Sequence, residues 1–398
     1  MPKHSTMMSG RSLKVELGAF LNVRSLSSFA VQCLVIIALF LVIRWITHNT
    51  IVNLRASNIA SGFDFLDKRA GFNQPSSIIQ YDDNATNGEV IEASLVNLVF
   101  ISAISLITAT FIGLFIGIGR LSNNWLIAKL SLCYVEFFRN IPPLVLLFFW
   151  SIGVMQILPP ARQSLHWGAI AINIRGIYLP RPVWGEHTGL FIVISILLIA
   201  VAVGLHFRAR YMIKERGLTS IRWWYGFVIG VLCPVILFFL LAYPTSWDIP
   251  ALKGFNYSGG YYISPEFLSL YLALSIYTGA LIAETIRAGI QGVDKGMSEA
   301  GSSLGLSNGL IMRLIILPLA LRIIIPPLAS QYMNLVKNTS LGAAVGYSEL
   351  MMVSSTIMER TGQSVELAVI WIEVYLGLSI VVSLFMNWFN RHMALVER

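Results

Sequence analysis

The sequence is poor in charged residues. Of its 398 residues, 12% are Asp, Glu, Lys or Arg, whereas 56% are hydrophobic. A soluble domain carries about 25% charged residues, and a chain as apolar as this one would expose too little charge to stay dispersed in water. The composition therefore excludes an ordinary soluble protein and makes lipid part of the solvent.

Motifs for catalysis and metal binding are missing as well. No Gly-Lys dipeptide occurs, which excludes a Walker A nucleotide site, and the six histidines form no HExxH motif or other metal-ligand spacing. The three cysteines, Cys33, Cys133 and Cys233, form no CxxC pair and give no disulfide or zinc framework. The sequence thus predicts no enzyme, no bound metal and no cofactor of its own.

A concentrated basic face is also absent, although the net charge is +8. A nucleic-acid-binding protein would gather that charge on one face or tail. Here the basic residues lie in short loops between apolar runs, as they do in the cytoplasmic loops of membrane proteins. With the N-terminus placed inside, the inner segments hold 17 Lys and Arg and the outer segments hold 9. Both termini are therefore predicted to be cytoplasmic, and no nucleic-acid partner is expected.

Long apolar runs dominate the chain. A spanning helix needs about 20 mostly apolar residues, and eight segments meet or nearly meet this length. They lie at about 27–46, 95–118, 141–158, 188–206, 224–243, 266–286, 314–335 and 366–389. The apolar stretch 341–358 contains Glu349 and many small residues, which favours a re-entrant or interfacial helix over a ninth span. The predicted fold is an all-α integral membrane protein with about eight transmembrane helices.

Two pairs of charged residues at the ends of spans are candidates for function. Glu136 and Arg139 lie three positions apart, and so do Glu284 and Arg287. On a helix this spacing brings opposite charges together. Each pair therefore suits either a structural ion pair at the membrane surface or a gate that contacts a partner subunit.

Further candidates lie within the spans or beside them. Arg322 and Glu373 should face the bundle or a wet cavity, because lipid exposure of a charge costs several kcal/mol. They suit either a mutual salt bridge or contact with a substrate, and Lys337 suits either an anchor at the outer interface or a pathway residue. Gly113-x-x-x-Gly117 is a small-residue helix face, used for packing within the chain or against another subunit.

The most informative motif follows the sixth span. Glu299-Ala300-Gly301 is followed by Gly305 and, after nine intervening residues, by Ile315-Ile316-Leu317-Pro318. A helix from about Met297 would end at Gly305, which can adopt a positive φ and turn the chain. A second short helix, from Ser307 to about Leu314, would then lead into the next span. Such a helix-turn-helix can dock into a groove on a soluble subunit.

This motif resembles the EAA loop of ABC importer permeases, whose pattern is EAA, three residues, Gly, nine residues and I-x-L-P. Gly301 departs from the pattern, since the family has Ala there. The segments 134–142, 277–290 and 335–341 are similar to polar amino acid permeases, although Asn338 stands where that family usually has Asp. The resemblance covers about 90–158 and 264–390.

The resemblance implies a type I importer permease with a MetI-like core. It implies an ATPase subunit that binds ATP in place of this chain, a second permease, a periplasmic amino-acid-binding protein and an amino acid as substrate. It assigns ATPase coupling to Glu299, Ala300, Gly301, Gly305, Leu317 and Pro318. The chain is longer than family members of the plain type, because it carries an insertion at about 159–262. This enlarged layout resembles the Q-type subunit of general L-amino-acid importers, which pairs with a different permease.

The resemblance also implies that the chain lies in a bacterial inner membrane and consists of five parts. Its parts are a cytoplasmic N-terminus (1–26), a first span (27–46), a periplasmic loop (47–92), the importer domain (93–390, with the coupling loop at 287–313) and a cytoplasmic tail (391–398). A self-powered secondary transporter is an alternative, but no internal repeat supports it. The second alternative is a non-transporting scaffold or an enzyme with an unrecognised site. No group of reactive side chains in the sequence supports it.

Overall fold

The computed structural model describes residues 23–56, 62–74, 77–82, 84–185, 187–216, 228–242 and 246–393. Most of the predicted N-terminal segment 1–26, most of the tail 391–398 and part of the predicted inner loop 207–223 lie outside the described residues. The described part of the chain is predominantly helical, as predicted.

Twelve α-helices occur in the described residues. They are α1 (Val23–Ala56), α2 (Asn87–Gly119), α3 (Trp125–Asn140), α4 (Pro143–Phe148), α5 (Thr188–Arg216), α6 (Cys233–Leu237), α7 (Pro265–Gln291), α8 (Lys295–Ser303), α9 (Asn308–Ile311), α10 (Leu317–Asn338), α11 (Leu350–Thr361) and α12 (Ser364–Met393). Wider or tighter turns extend several of them, namely the π-helical segments Phe149–Val154, Val228–Leu232, Phe238–Ala242 and Met312–Ile316 and the 3₁₀ segments Met155–Ile157 and Thr339–Val345. Two isolated 3₁₀ turns cover Asp64–Asp67 and Ala161–Gln163.

Six helical stretches of the described chain are long and apolar enough to cross a membrane. They are Ser28–Thr50, Asn87–Gly119, Thr188–His206, Pro265–Gln291, Asn308–Val345 and Ser364–His392. The predicted span at 141–158 corresponds to the helical segment Pro143–Ile157. This segment and α3 follow each other in the chain and are bent by 104° at the break between them. Pro142 and Pro143 explain the break, since a residue before proline is driven out of the helical region and Ile141 is extended. The predicted fifth span is the shorter helix Val228–Leu240.

The stretch after α10 does not cross the membrane again. Thr339–Val345 ends at Gly346, which has a φ of 80°, and α11 has 12 residues. A 12-residue α-helix is about 18 Å long, well short of a bilayer. This agrees with the interpretation of 341–358 as re-entrant or interfacial.

Eight short strands flank α5 and α6, which the sequence did not predict. They are β1 (Leu165–Trp167), β2 (Ile170–Asn173), β3 (Gly176–Leu179), β4 (Arg181–Val183), β5 (Ser246–Asp248), β6 (Ala251–Lys253), β7 (Asn256–Ser258) and β8 (Tyr261–Ile263). All pairing is antiparallel, in a sheet ordered β1-β2-β3-β8 and in the pairs β4–β5 and β6–β7. Strands of three or four residues are too short for an alternating hydrophobic pattern to reveal them. We call this part the β unit.

Small residues bring α2 and α7 into close contact. A Cβ atom on Gly113 would lie 2.5 Å from Cγ2 of Ile282, and one on Gly117 would lie 2.9 Å from the carbonyl oxygen of Ala283. Both glycines are buried. The chain therefore uses its Gly-x-x-x-Gly face for internal helix packing.

A packed segment precedes α2. Phe65, Ala70 and Ala85 are buried together with Val353 and Ile357 of α11. The Arg360 guanidinium of α11 donates hydrogen bonds to the backbone oxygens of residues 70 and 71, at 3.0 and 2.9 Å. The segment 62–86 is thus a cap on α11.

Candidate coupling loop and transport path

The segment α8–α9 forms the helix-turn-helix that the motif predicts. Asp294 caps α8 by accepting a hydrogen bond from the Gly296 N–H at 2.8 Å. Gly305 has a φ of +75°, and the Leu306 N–H then donates to the Gly301 carbonyl at 3.2 Å. This left-handed turn reverses the chain between the two helices.

Gly301 lies where the two arms of this loop touch. It is buried, and a Cβ atom there would lie 2.9 Å from Cδ1 of Ile315 and 3.0 Å from Cγ1 of Ile311. The spacing between the first and last parts of the motif therefore has a packing reason, because Ile315 covers Gly301. Cδ1 of Ile315 is the end of a flexible side chain, whereas Cγ1 of Ile311 is bonded to a branched Cβ, so an alanine at position 301 requires Ile311 to shift as well.

The outer side of the loop is apolar and open. Leu304 is 79% exposed, Met297 46% and Leu310 44%, and Glu299 and Ala300 are exposed beside them. Large apolar side chains on a projecting helical loop mark a protein-binding surface. We call these five residues the coupling face.

A wider helical turn joins the loop to α10. Met312–Ile316 is π-helical and Leu317-Pro318 opens α10. Proline lacks a backbone N–H, so the carbonyl of Leu314 loses its usual partner four residues later, and a π turn is a common response. The loop is thereby continuous with a spanning helix.

Glu284 is the centre of a charge cluster near the C-terminal end of α7. Its carboxylate accepts hydrogen bonds from Arg287, at 2.7 Å from Nη2 and 3.2 Å from Nε. It also pairs with Arg120 at the end of α2 and lies 3.9 Å from Arg139 at the end of α3. One carboxylate thus holds three arginines from three helices.

The structure separates the two predicted i,i+3 pairs. The ion pair between Glu284 and Arg287 is present. The pair between Glu136 and Arg139 is not formed among the described residues, because Arg139 turns toward Glu284 while the Glu136 side chain is exposed. Sequence spacing alone could not reveal this, since the competing carboxylate comes from another helix.

Arg322 and Glu373 lie on the neighbouring helices α10 and α12. Arg322 is half-buried and Glu373 is exposed, and the salt bridge between them stays a prediction. Lys337 is exposed near the end of α10, at the opposite end of this helix from the coupling face.

Polar side chains line a cavity beside the C-terminal part of α10, which sequence reasoning missed, and we call this lining the polar wall. The cavity has a volume of about 240 Å³ and is lined by Pro143, Tyr277, Thr278, Leu281, Gln331, Asn334 and Asn338. Gln331, Asn334 and Asn338 carry amide side chains within eight residues of one spanning helix. The sequence therefore did contain a signal for this cavity. Polar side chains on a spanning helix usually face a wet cavity or the interior of the bundle rather than lipid.

Glu349 is a buried carboxylate outside the spans. It caps α11 by accepting hydrogen bonds from the N–H groups of Met351 and Met352, at 2.9 and 3.0 Å, and another from the Tyr375 hydroxyl at 2.9 Å. Burial outweighs these donors and raises the pKa of Glu349 to about 7.

We expect this carboxyl to make stability depend on pH. The folded state holds its proton more tightly than the unfolded chain, so stability falls as the pH rises from the ordinary glutamate pKa of about 4.3 towards 7 and then levels off. The loss is about 3 kcal/mol. Thermal unfolding of the detergent-solubilised chain at pH 5 and 8 should show this loss in the parent and much less of it in Glu349→Gln. Glu359→Gln, at an exposed site on the same helix, is the control, and an equal pH response in all three would contradict the assignment.

The described chain thus combines several apolar spans, a cavity lined by polar side chains and a projecting apolar loop. Residues 221–395 match the family model of the binding-protein-dependent transport system inner membrane component. The chain is 46% identical to the general L-amino acid transport system permease protein AapQ of Rhizobium johnstonii, over 92% of both chains. It is 44% identical to the putative amino-acid ABC transporter permease protein YhdX of Escherichia coli, over 92% of this chain and 94% of that one.

A third relative is the glutamate/glutamine/aspartate/asparagine transport system permease protein BztB of Rhodobacter capsulatus, 32% identical over 93% of this chain and 94% of that one. The chain therefore belongs to the family of binding-protein-dependent ABC transporter permeases of the inner membrane. Members of this family are transport proteins rather than enzymes, and they work with a separate ATPase and a binding protein.

Proposed function

We propose that this chain is one permease subunit of an importer of L-amino acids. The three relatives are named as amino-acid permeases, and each match covers at least 92% of this chain. Because the inserted β unit and the helices α5 and α6 fall within the matched length, the resemblance extends beyond the common core. A different chain is its proposed permease partner, as the enlarged layout suggests.

The coupling face is the proposed contact with the ATPase. The ATPase binds ATP, and closure of its subunits displaces the loop through contacts with Glu299, Ala300 and Leu304. Gly301 packs the two arms of the loop together, so the loop moves as one body. Leu317-Pro318 then carries the movement into α10 and along the polar wall.

The proposed orientation places both termini in the cytoplasm. The coupling face must lie on the ATPase side, and α10 leads from it across the membrane to the segment of α11. The cap 62–86 packs on α11 and therefore lies on the outer side as well. Because the cap lies between α1 and α2 in the chain, α2 begins on the outer side, and α1 ends there and begins inside. The descending α12 likewise ends inside, and the excess of Lys and Arg in the inner segments supports this orientation.

The polar wall is the proposed route for the amino acid. Tyr277 and Thr278 of α7 face Gln331, Asn334 and Asn338 of α10 across the cavity. Hydrogen-bonding groups without a strong charge suit a broad set of amino acids, because they contact the common backbone part of the substrate. Lys337 and the exposed Glu373 are proposed to face this route or the partner permease, since neither can face lipid cheaply.

The test is uptake of a panel of radiolabelled L-amino acids by cells with and without this chain, under matched expression of the other components. We expect the deletion to abolish uptake of many amino acids. Loss for one or two would restrict the importer to a narrow set. Unchanged uptake of every amino acid would reject the proposal, and uptake that survives loss of the ATPase would favour a secondary transporter.

A further inference from the structure

A second cavity lies where the β unit meets the outer end of α7. Its volume is about 670 Å³, which is ample for a small solute. It is separate from the polar wall and shares no lining residue with it. The lining comes from the β2–β3 turn, β3, β7, β8 and the first turn of α7.

Three tyrosine rings form one wall of this cavity. The ring centroids of Tyr178 and Tyr257 are 5.0 Å apart, and those of Tyr178 and Tyr262 are 5.2 Å apart. The Tyr178 hydroxyl donates to Asn256 Oδ1 and the Tyr262 hydroxyl donates to the Arg175 carbonyl, both at 2.9 Å. Because these bonds fix the rings, the wall is preorganised rather than mobile.

Opposite charges face the same cavity. Arg175 lies in the β2–β3 turn and Glu266 lies in the first turn of α7. Within the described part of the chain, neither side chain forms an ion pair or a side-chain hydrogen bond. The nearby Arg181 is different, since it pairs with Asp248 at 2.9 Å.

Each charge is stable without a ligand. Arg175 is exposed to water, and a glutamate in the first turn of a helix, as Glu266 is, is stabilised by the helix dipole. What points to a ligand is the combination of groups that line the cavity. One cation, one anion and an aromatic surface together are complementary to a small zwitterion: a guanidinium binds a carboxylate, and a carboxylate with aromatic faces binds an ammonium group.

We propose that this cavity binds a free L-α-amino acid, with its carboxylate on Arg175 and its ammonium group against Glu266 and the tyrosine wall. The choice of an amino acid rests in part on the proposed import function. The site would hold its ligand at the outer end of α7, the helix whose inner end carries Glu284. It is thus an external site, distinct from the transport route.

The test uses the purified full-length chain in nanodiscs, without ATPase or binding protein. Equilibrium binding of radiolabelled L-glutamine and L-leucine should be saturable. Arg175→Ala and Glu266→Gln should each weaken it by about tenfold or more, as loss of a charge-assisted contact requires. Arg181→Ala, which leaves the cavity lining intact, should bind as the parent does. Arg175→Lys keeps the charge and should retain part of the affinity.

Several outcomes would overturn the site. Binding that is unchanged in Arg175→Ala and Glu266→Gln, or that is lost in Asn334→Ala instead, would assign the ligand to the polar wall. Competition by succinate as strong as by an amino acid would indicate a simple anion site. Absence of binding, together with normal amino-acid uptake by the complete importer, would reject this site and leave the import function standing.

Discussion

Replacing Gly305 by proline should abolish amino-acid uptake while the chain still inserts into the membrane. Gly305 has a φ of +75°, whereas proline is fixed near −65°. The turn must therefore open, and the hydrogen bond from the Gly305 N–H to the Ser302 carbonyl is lost with it. The two arms that meet at Gly301 then separate, and the coupling face no longer presents one surface. Uptake in cells, normalised to the amount of chain in the membrane, measures the effect.

Gly309 provides the matched control. A Cβ atom at either Gly305 or Gly309 would meet nothing within 4 Å, but Gly309 lies in a helix with ordinary backbone angles. Gly309→Ala should therefore transport normally. Gly305→Asn should keep most of the activity, because asparagine tolerates the left-handed conformation that costs other residues about 1–2 kcal/mol. Normal transport by Gly305→Pro would refute the assignment of this loop to ATPase coupling.

Removal of the Glu284 carboxylate is expected to have the second large effect. In Glu284→Gln, Arg120, Arg139 and Arg287 would remain together without their shared anion. The Arg120 side chain is only 10% exposed, so its charge would be poorly solvated. Breaking a buried pair costs about 3–5 kcal/mol, and we expect about 3 kcal/mol here because the other partners are partly exposed. The measurement is the thermal stability of the purified chain, accompanied by uptake.

Two further variants separate a specific contact from a general loss of charge. Glu136→Gln removes a nearby carboxylate that forms no ion pair in the described structure, and it should leave stability almost unchanged. Adding Arg120→Gln to Glu284→Gln removes one uncompensated cation and should restore a substantial part of the lost stability. If Glu136→Gln were as damaging as Glu284→Gln, the cluster would have no special role.

The sequence predicted well those features that depend on local pattern. The helix-turn-helix of α8 and α9 could be placed because Gly305, Gly301 and Pro318 each impose a local backbone or packing requirement. Spans could be placed because the bilayer sets their length and polarity. The small face of Gly113 and Gly117 could be recognised, since close approach of two helices demands residues without side chains.

Features that depend on distant contacts escaped sequence reasoning. Arg139 turns to Glu284 on another helix rather than to Glu136 on its own. The β unit consists of strands too short to show a pattern, and it forms because two segments on either side of α5 and α6 meet. The bend between α3 and α4 falls at the start of the predicted span 141–158. The sequence did not reveal that this span pairs with α3 across the bend, although Pro142 and Pro143 mark its position.

The pairing of β4 with β5 has a consequence for how such chains vary in length. Arg181 lies opposite Asp248 in this pair, so the chain leaves for α5 and returns from α6 within the spacing of neighbouring strands, about 4.8 Å. Among the described residues, α5 and α6 pack mainly on each other. A tight turn could therefore replace both helices without moving either end. The pair α5–α6 is thus a removable module, and evolution could add or delete these two helices while leaving the packing between α7 and α10 in place.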